Sequence, residues 1–177
     1  MITPWGNEDY EVHWGFADYK DKVILDIGAD YGSTADFFLH KGARNVIAIE
    51  CHPEHFQRLE ALAKENPGMV AINMRIASAT DFLVLLKQYD VDIMKVDCEG
   101  CEAWLLELDD VALSQVPEYL VEIHSRESAE IFGNLHPYGD LEELRGRLLK
   151  KFKCCGFEIV REFKYCSAVW VIHAIRA

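Results

Sequence analysis

Val23-Ile24-Leu25-Asp26-Ile27-Gly28-Ala29-Asp30-Tyr31-Gly32 decides the fold. Three apolar residues lead into an acid, two glycines stand four apart, and a helical pattern starts at Ser33. The pattern predicts a buried strand, a tight glycine turn and a helix N-terminus. Glycine accepts positive φ without steric cost and lets a ligand approach the backbone. In an open α/β sheet such a turn sits at the carboxyl edge of the first strand, where ligands bind.

A dinucleotide fingerprint would read G-x-G-x-x-G. Here Ala29 and Asp30 stand between Gly28 and Gly32, so the third glycine is missing. Asp26 and Asp30 would repel a pyrophosphate at the helix N-terminus. They suit a ligand carrying a cationic amine and hydroxyls. Glu50 closes the apolar run Val46-Ile47-Ala48-Ile49. It falls about twenty residues past the turn, where an acid hydrogen-bonds ribose hydroxyls in Rossmann-type folds. An NAD site shares that feature, so Glu50 indicates a nucleoside before it indicates a methyl donor.

Outward from this stretch the chain alternates. The first helix is expected over Ser33–His40, with Ser33 as N-cap and Asp36 three positions on. A strand follows at Asn45–Glu50, then a helix with Pro53 in its first position. Strands are expected at Met69–Ile76, Asp92–Val96 and Tyr119–Ile123, with helices around Phe82–Leu86 and Glu102–Leu108. A polar loop with Gly133, Pro137 and Gly139 leads to an amphipathic helix, Leu141–Phe152. Two β-rich runs, 157–165 and 168–175, joined by Cys166-Ser167, read as an antiparallel hairpin. The expected fold is α/β: one domain over 1–177, with a doubly wound, mostly parallel seven-stranded sheet of Rossmann-like type and a C-terminal antiparallel hairpin. Residues 1–20, with Trp5, Tyr10, Trp14, Phe16 and Tyr19, read as a capping segment. The alternative is an aromatic lid that His13 could join.

The 177 residues suffice for one full core. Their net charge of -12 argues against nucleic acid as the main partner. Lys150, Lys151 and Lys153 cluster at a helix end, where the helix dipole favours cations. The acidic, polar run Thr3–Tyr10 is unlike a signal peptide. No apolar run reaches the roughly 18 residues of a membrane span. Six cysteines, unevenly spaced at 51, 98, 101, 154, 155 and 166, suggest reduced thiols and a cytoplasmic protein. Oligomeric state is not legible in the sequence.

The second chemical stretch is Met94-Lys95-Val96-Asp97-Cys98-Glu99-Gly100-Cys101-Glu102. Three carboxylates in six residues at a strand's carboxyl end repel one another unless a cation or proton sits among them. Cys98 and Cys101 also match C-x-x-C. A redox motif of that kind opens the helix after the first strand of a thioredoxin-like unit, and no second C-x-x-C completes a zinc site. Packed free thiols are the expectation.

D-x-G-x-x-x-G after an apolar strand resembles the first motif of class I S-adenosylmethionine-dependent methyltransferases. K-V-D-C-E-G-C-E, followed by Leu105-Leu106, resembles the D-x-E-G-x-E signature of FkbM-like methyltransferases. The run Leu120-Val121-Glu122-Ile123-His124 after Pro117, and Asn73 with Ala77-Ser78, are similar to that family too. The likeness spans roughly residues 22 to 125. It implies S-adenosylmethionine as cofactor and O-methylation of a small-molecule or sugar hydroxyl. On that resemblance Gly28, Ala29 and Gly32, with Asp26 or Asp30, hold the amino-acid end of the donor, and Glu50 takes the ribose. Cys51 and Ala77-Ser78 border the adenine, and Asp97 faces the methyl or the acceptor. His124 is the candidate base, its ordinary pKa near 6.5 suiting the task, with Glu99 and Asp97 as rivals. Asp97, Glu99 and His124 could instead gather a divalent cation, although no metal is expected. The alternatives are an NAD-linked oxidoreductase and a non-catalytic domain that binds a nucleoside or a partner protein.

Overall fold

The computed structural model describes residues 10–131, 133–134, 138 and 140–177. Expectations for Trp5, Pro137 and Gly139 lie outside the described residues. The chain divides after Arg75 into two units.

The first unit alternates helix and strand: α1 (Tyr10–His13), β1 (Val23–Ile27), α2 (Ser33–His40), β2 (Asn45–Glu50), α3 (Pro53–Glu65) and β3 (Met69–Asn73). β1 pairs β2 and β2 pairs β3, both parallel, with Val23 opposite Asn45 and Val46 opposite Met69. Every residue of β1 is buried, which is why it reads as an unbroken apolar run rather than an alternating one. Phe37 and Phe38 of α2 are fully buried. Tyr10 lies 5.8 Å from Phe37 and Tyr19 lies 4.9 Å from Phe38, ring centre to ring centre. Trp14 is buried beside them, and its carbonyl accepts the Tyr19 hydroxyl. Tyr10 and Tyr19 of the amino-terminal segment therefore pack on α2.

The second unit holds α4 (Ala79–Gln88), β4 (Ile93–Val96), a 3-10 helix (Cys101–Glu107), α5 (Asp110–Leu113), β5 (Glu118–His124), α6 (Arg126–Ile131), α7 (Leu141–Cys154), β6 (Phe157–Cys166) and β7 (Val169–Arg176). β4 pairs β5 in parallel, β7 runs antiparallel to β5, and β6 runs antiparallel to β7. β7 thus lies between β5 and β6. Leu141, Leu144, Leu148 and Phe152 form the buried stripe of α7. The rings of Phe152, Tyr119 and Phe157 meet tilted or edge to face at its end. The seven described strands keep the plan that the alternation predicts: parallel in the first unit and, in the second, parallel with an antiparallel C-terminal pair. Among the described residues, no helix is long and apolar enough to cross a membrane.

Several local expectations are corrected. Gly32, not Ser33, is the N-cap of α2, with φ of 92°. Asp26 supplies an anchor inside that first turn by accepting the Thr34 hydroxyl. β3 stops at Asn73 because the Asn73 amide and the Met74 N–H both turn to the Glu50 carbonyl. α4 starts one turn earlier than its apolar residues suggest, because Ser78 and Asp81 form a capping box. The segment after Gly100 is a 3-10 helix. The polar stretch after His124 contains α6, and Asp109 caps the short α5 by accepting the Ala112 N–H. The hairpin connection is Ser167-Ala168, one residue later than read.

Candidate functional site

Chemistry-bearing side chains gather in two places, one in each unit. In the first, β1 ends in a turn that reverses into α2. Gly28, Asp30 and Gly32 all take positive φ, at 78°, 49° and 92°. The Gly28 and Ala29 N–H groups both donate to the Ile49 carbonyl, and the Gly32 N–H donates to Ala29. The Asp30 N–H donates to Glu50 Oε2 at 2.9 Å, and the His52 N–H donates to Glu50 Oε1 at 2.6 Å. Glu50, the last residue of β2, therefore fastens the glycine turn from the side. Four amide groups of the turn point inward, so its outer edge presents acceptors.

The aspartates divide their work. Asp26 is wholly buried and braces Thr34 at 2.6 Å. Asp30 is exposed and pairs with His55 Nδ1 at 2.5 Å. His55 stacks 4.3 Å from both His52 and Tyr31, and Arg58 lies over the Tyr31 ring. Cys51 follows Glu50, and burial, then the Glu50 charge, pushes its thiol pKa up. Gly32 answers to packing as well as to φ: a Cβ there would stand 2.8 Å from Leu62 and 3.0 Å from Leu59 of α3.

In the second unit, Ala77 and Ser78 donate their N–H groups to Asp81 Oδ2, each at 2.9 Å. They form the cap of α4. The denser cluster surrounds His124, at the end of β5 and 3% exposed. Its Nε2 stands 3.6 Å from each of Asp97 Oδ1, Glu99 Oε1 and Glu122 Oε1. The structure thus brings together all three residues that the sequence put forward for catalysis.

Glu102 organises this cluster, and it is a residue to which sequence reasoning gave no role. Its side chain is completely buried. Oε1 accepts the His124 backbone N–H at 2.7 Å and lies 3.2 Å from His124 Nδ1, while Oε2 accepts the Gly100 N–H at 2.9 Å. Lys95, wholly buried on β4, reaches Asp97 Oδ2 at 3.3 Å. Glu99 has φ of 55°, Gly100 of 116°. Asn134 binds the Cys98 and Glu99 carbonyls, and Ser128 donates to Glu99. Gly100 is sterically required, since a Cβ would come within 2.6 Å of the Ala129 Cβ. Glu122 and His124 occupy i and i+2 of one strand, so they share a face. That parity was the available signal for Glu122.

Two expectations change here. Cys98 and Cys101 are joined in a disulfide, with Cα atoms 5.5 Å apart. The left-handed pair Glu99-Gly100 folds the chain back far enough for the two sulfurs to meet, so these thiols are not free. Cys51, Cys154, Cys155 and Cys166 are. The His124 pKa also departs from its ordinary value. Burial alone would lower it, but Glu102, Asp97 and Glu99 together override burial and push it up to about 10. Without a further cation, His124 is an imidazolium at neutral pH rather than a free base. Burial, and next the charge of Asp97, push Glu122 up to about 8.

No family model matches the sequence. Over 119 residues the chain is 34% identical to the uncharacterized protein 158B of Sulfolobus islandicus rod-shaped virus 1, covering 66% of this chain and 69% of that protein. The chain belongs to that viral protein's family. A further relative, uncharacterized protein 65 of a Sulfolobus islandicus filamentous virus, is 29% identical over 102 residues. The chain spans 58% of that protein's length and contributes 55% of its own. Among solved structures, fibrillarin of Aeropyrum pernix with natively bound S-adenosylmethionine matches with a TM-score of 0.60 and 18% identity, over 88% of this chain and 67% of that one. The fibrillarin pre-rRNA processing protein of Methanococcus jannaschii gives 0.64 and 19%, over 90% and 69%. Magnesium protoporphyrin IX methyltransferase of Synechocystis with bound S-adenosylmethionine gives 0.58 and 14%, over 90% and 72%. At these identities the likeness is one of fold. The family member described here has the Rossmann-like α/β fold that these methyltransferases share.

Proposed function

We propose that the chain is an S-adenosylmethionine-dependent methyltransferase acting on a hydroxyl oxygen of a small molecule or sugar. The observation that carries the reading is the inward commitment of the turn's amides. A pyrophosphate in a dinucleotide site is cradled by free N–H groups of the glycine turn as well as by the helix behind it. Here the Gly28, Ala29, Asp30 and Gly32 amides serve Ile49, Glu50 and Ala29 instead. An edge of carboxylates and carbonyls fits a cationic α-amino group and ribose hydroxyls, so the donor set suits S-adenosylmethionine better than NAD. Each Glu50 oxygen uses one acceptor site on the backbone and keeps another for a ribose hydroxyl.

Gly28, Ala29, Gly32 and Asp30 would hold the amino-acid end. Asp26 would stiffen the turn from within. Cys51, next to Glu50, would border the adenine. The bound cofactor supplies an electrophilic methyl group on a sulfonium. Residues of the chain orient the acceptor, and orientation is worth roughly 7–11 kcal/mol. Glu99, whose carboxylate is the most exposed of the acids facing His124 Nε2, receives the hydroxyl proton. Asp97 and His124 hold it in place. The net charge of -12 favours a small acceptor over nucleic acid.

Titration calorimetry with S-adenosylmethionine, S-adenosylhomocysteine and NAD tests the reading. The first two should bind and NAD should not, and Glu50→Gln should weaken binding with the fold retained. NAD binding without S-adenosylmethionine binding would overturn it in favour of an oxidoreductase. Once an acceptor is found, Asp97→Asn should lose turnover at unchanged cofactor affinity.

A further inference from the structure

The geometry points to a divalent transition-metal site at Asp97, Glu122 and His124, with the buried Glu102 as the outer partner of the histidine. Each ligand atom stands within 4.8 Å of the other two. Nε2 of His124 is 3.6 Å from Asp97 Oδ1 and 3.6 Å from Glu122 Oε1. Four ligands about 2.0–2.2 Å from a tetrahedral zinc-like ion stand roughly 3.3–3.6 Å from one another. These separations have that size.

A proton alone explains the arrangement less well. An Nε2–H donates along one direction and draws one oxygen to about 2.7–2.9 Å. Here three carboxylate oxygens stand equally far from one nitrogen, all beyond hydrogen-bonding distance. Asp97 and Glu122 oxygens that approach one nitrogen without bonding to it leave room for a cation shared by the three atoms.

The surrounding residues support the same conclusion. A carboxylate accepts hydrogen bonds, so Glu102 at 3.2 Å favours the tautomer with the proton on Nδ1. The Nε2 lone pair is then directed at the acids. Metal-bound histidines are held in this way by an outer carboxylate. Glu102 is itself fixed by two backbone N–H groups, so the imidazole has little freedom to turn. Lys95 takes Asp97 Oδ2 and leaves Oδ1 facing His124. Three protein ligands leave a fourth position open, as in catalytic zinc sites. Resting on the methyltransferase reading, an acceptor hydroxyl entering that position would be polarised by the ion, with Glu99 beside it to take the proton.

The experiment titrates the chelator-stripped, disulfide-bonded protein with Co²⁺, followed by visible absorption, and with Zn²⁺, followed by calorimetry. No S-adenosylmethionine is present, so failure here leaves the methyltransferase reading intact, and the reverse also holds. One equivalent should bind, with tetrahedral ligand-field bands and no thiolate-to-cobalt charge transfer. Glu122→Gln should weaken binding at least tenfold, and Glu102→Gln about 10- to 100-fold, with circular dichroism unchanged. In the unaltered protein, Zn²⁺ should shift the ¹⁵N resonance of His124 Nε2, a reading that needs no variant to fold. An unmoved His124 resonance, thiolate bands alone, or Glu122→Gln binding as tightly as the parent would overturn the proposal.

Discussion

Replacing Glu102 by alanine probes the second unit at its most connected side chain. The carboxylate accepts the Gly100 and His124 N–H groups and faces His124 Nδ1. A hydrogen bond to a charged group contributes about 1.5–3 kcal/mol, and a buried donor stripped of its partner costs a similar amount. Two orphaned amides therefore predict a loss of about 3–6 kcal/mol. Removing one of the four acids relieves their mutual repulsion but also takes away the carboxylate nearest the His124 ring; the two effects oppose each other, so about 3–5 kcal/mol is expected. For a chain of this length that lowers Tm by roughly 6–20 °C. Urea unfolding followed by circular dichroism and tryptophan fluorescence measures it, Trp104 in the 3-10 helix reporting locally. Hydrogen exchange should show the Gly100 and His124 amides losing protection first. The exposed Glu54→Ala, on α3, serves as control and should stay within about 0.5 kcal/mol. A Glu102→Ala loss below about 1 kcal/mol, with those two amides still protected, would refute the reasoning.

The metal-free protein should lose stability as pH rises. Glu122, raised to about 8, and His124, raised to about 10, each bind a proton in the folded chain that the unfolded chain has already released. The Glu122 contribution falls away from about pH 4.5 to 8 and that of His124 from about 6.5 to 10, at no more than about 1.4 kcal/mol per pH unit for each. Urea melts at stepped pH in the presence of chelator should show the decline, and Glu122→Gln should flatten its lower part; a rising curve contradicts both assignments. Gly32→Ala combines a left-handed φ of 92° with a Cβ pressed on Leu62 and should cost about 2–5 kcal/mol, visible as a lowered urea midpoint. Cys101→Ser opens a very short loop, bounded by positions three apart in sequence, and should cost about 2 kcal/mol. The comparison is made under non-reducing conditions, and adding reductant should then weaken only the parent protein.

Much of the first unit was legible because its signals are local. The runs at Val23–Ile27 and Asn45–Glu50 end at residues that physically stop them: a glycine that reverses the chain, and an acid that leaves the apolar layer. Pro53 fixed the start of α3 for the same reason. Ser33 is the stronger capping residue by type, but the chain enters α2 through φ of 92°, which suits the glycine at 32. In the second unit, the motif located the His124 cluster without revealing its keystone. Glu102 and His124 lie 22 positions apart and meet only after β5 has formed. Spacing within the motif cannot report such a contact. The disulfide was hidden likewise, because it depends on Glu99, a non-glycine residue, adopting φ of 55°.

β7 fills the slot between β5 and β6, although it follows both in the chain. During translation β5 emerges long before the strand that covers its flank, and seven residue pairs from Glu118–Ile175 to His124–Val169 await that arrival. Until then β5 offers an open hydrogen-bonding border to anything nearby, a neighbouring nascent chain included. The His124 end of that strand is therefore completed late, and a premature stop before Val169 should yield a polypeptide dependent on chaperones rather than a smaller working protein.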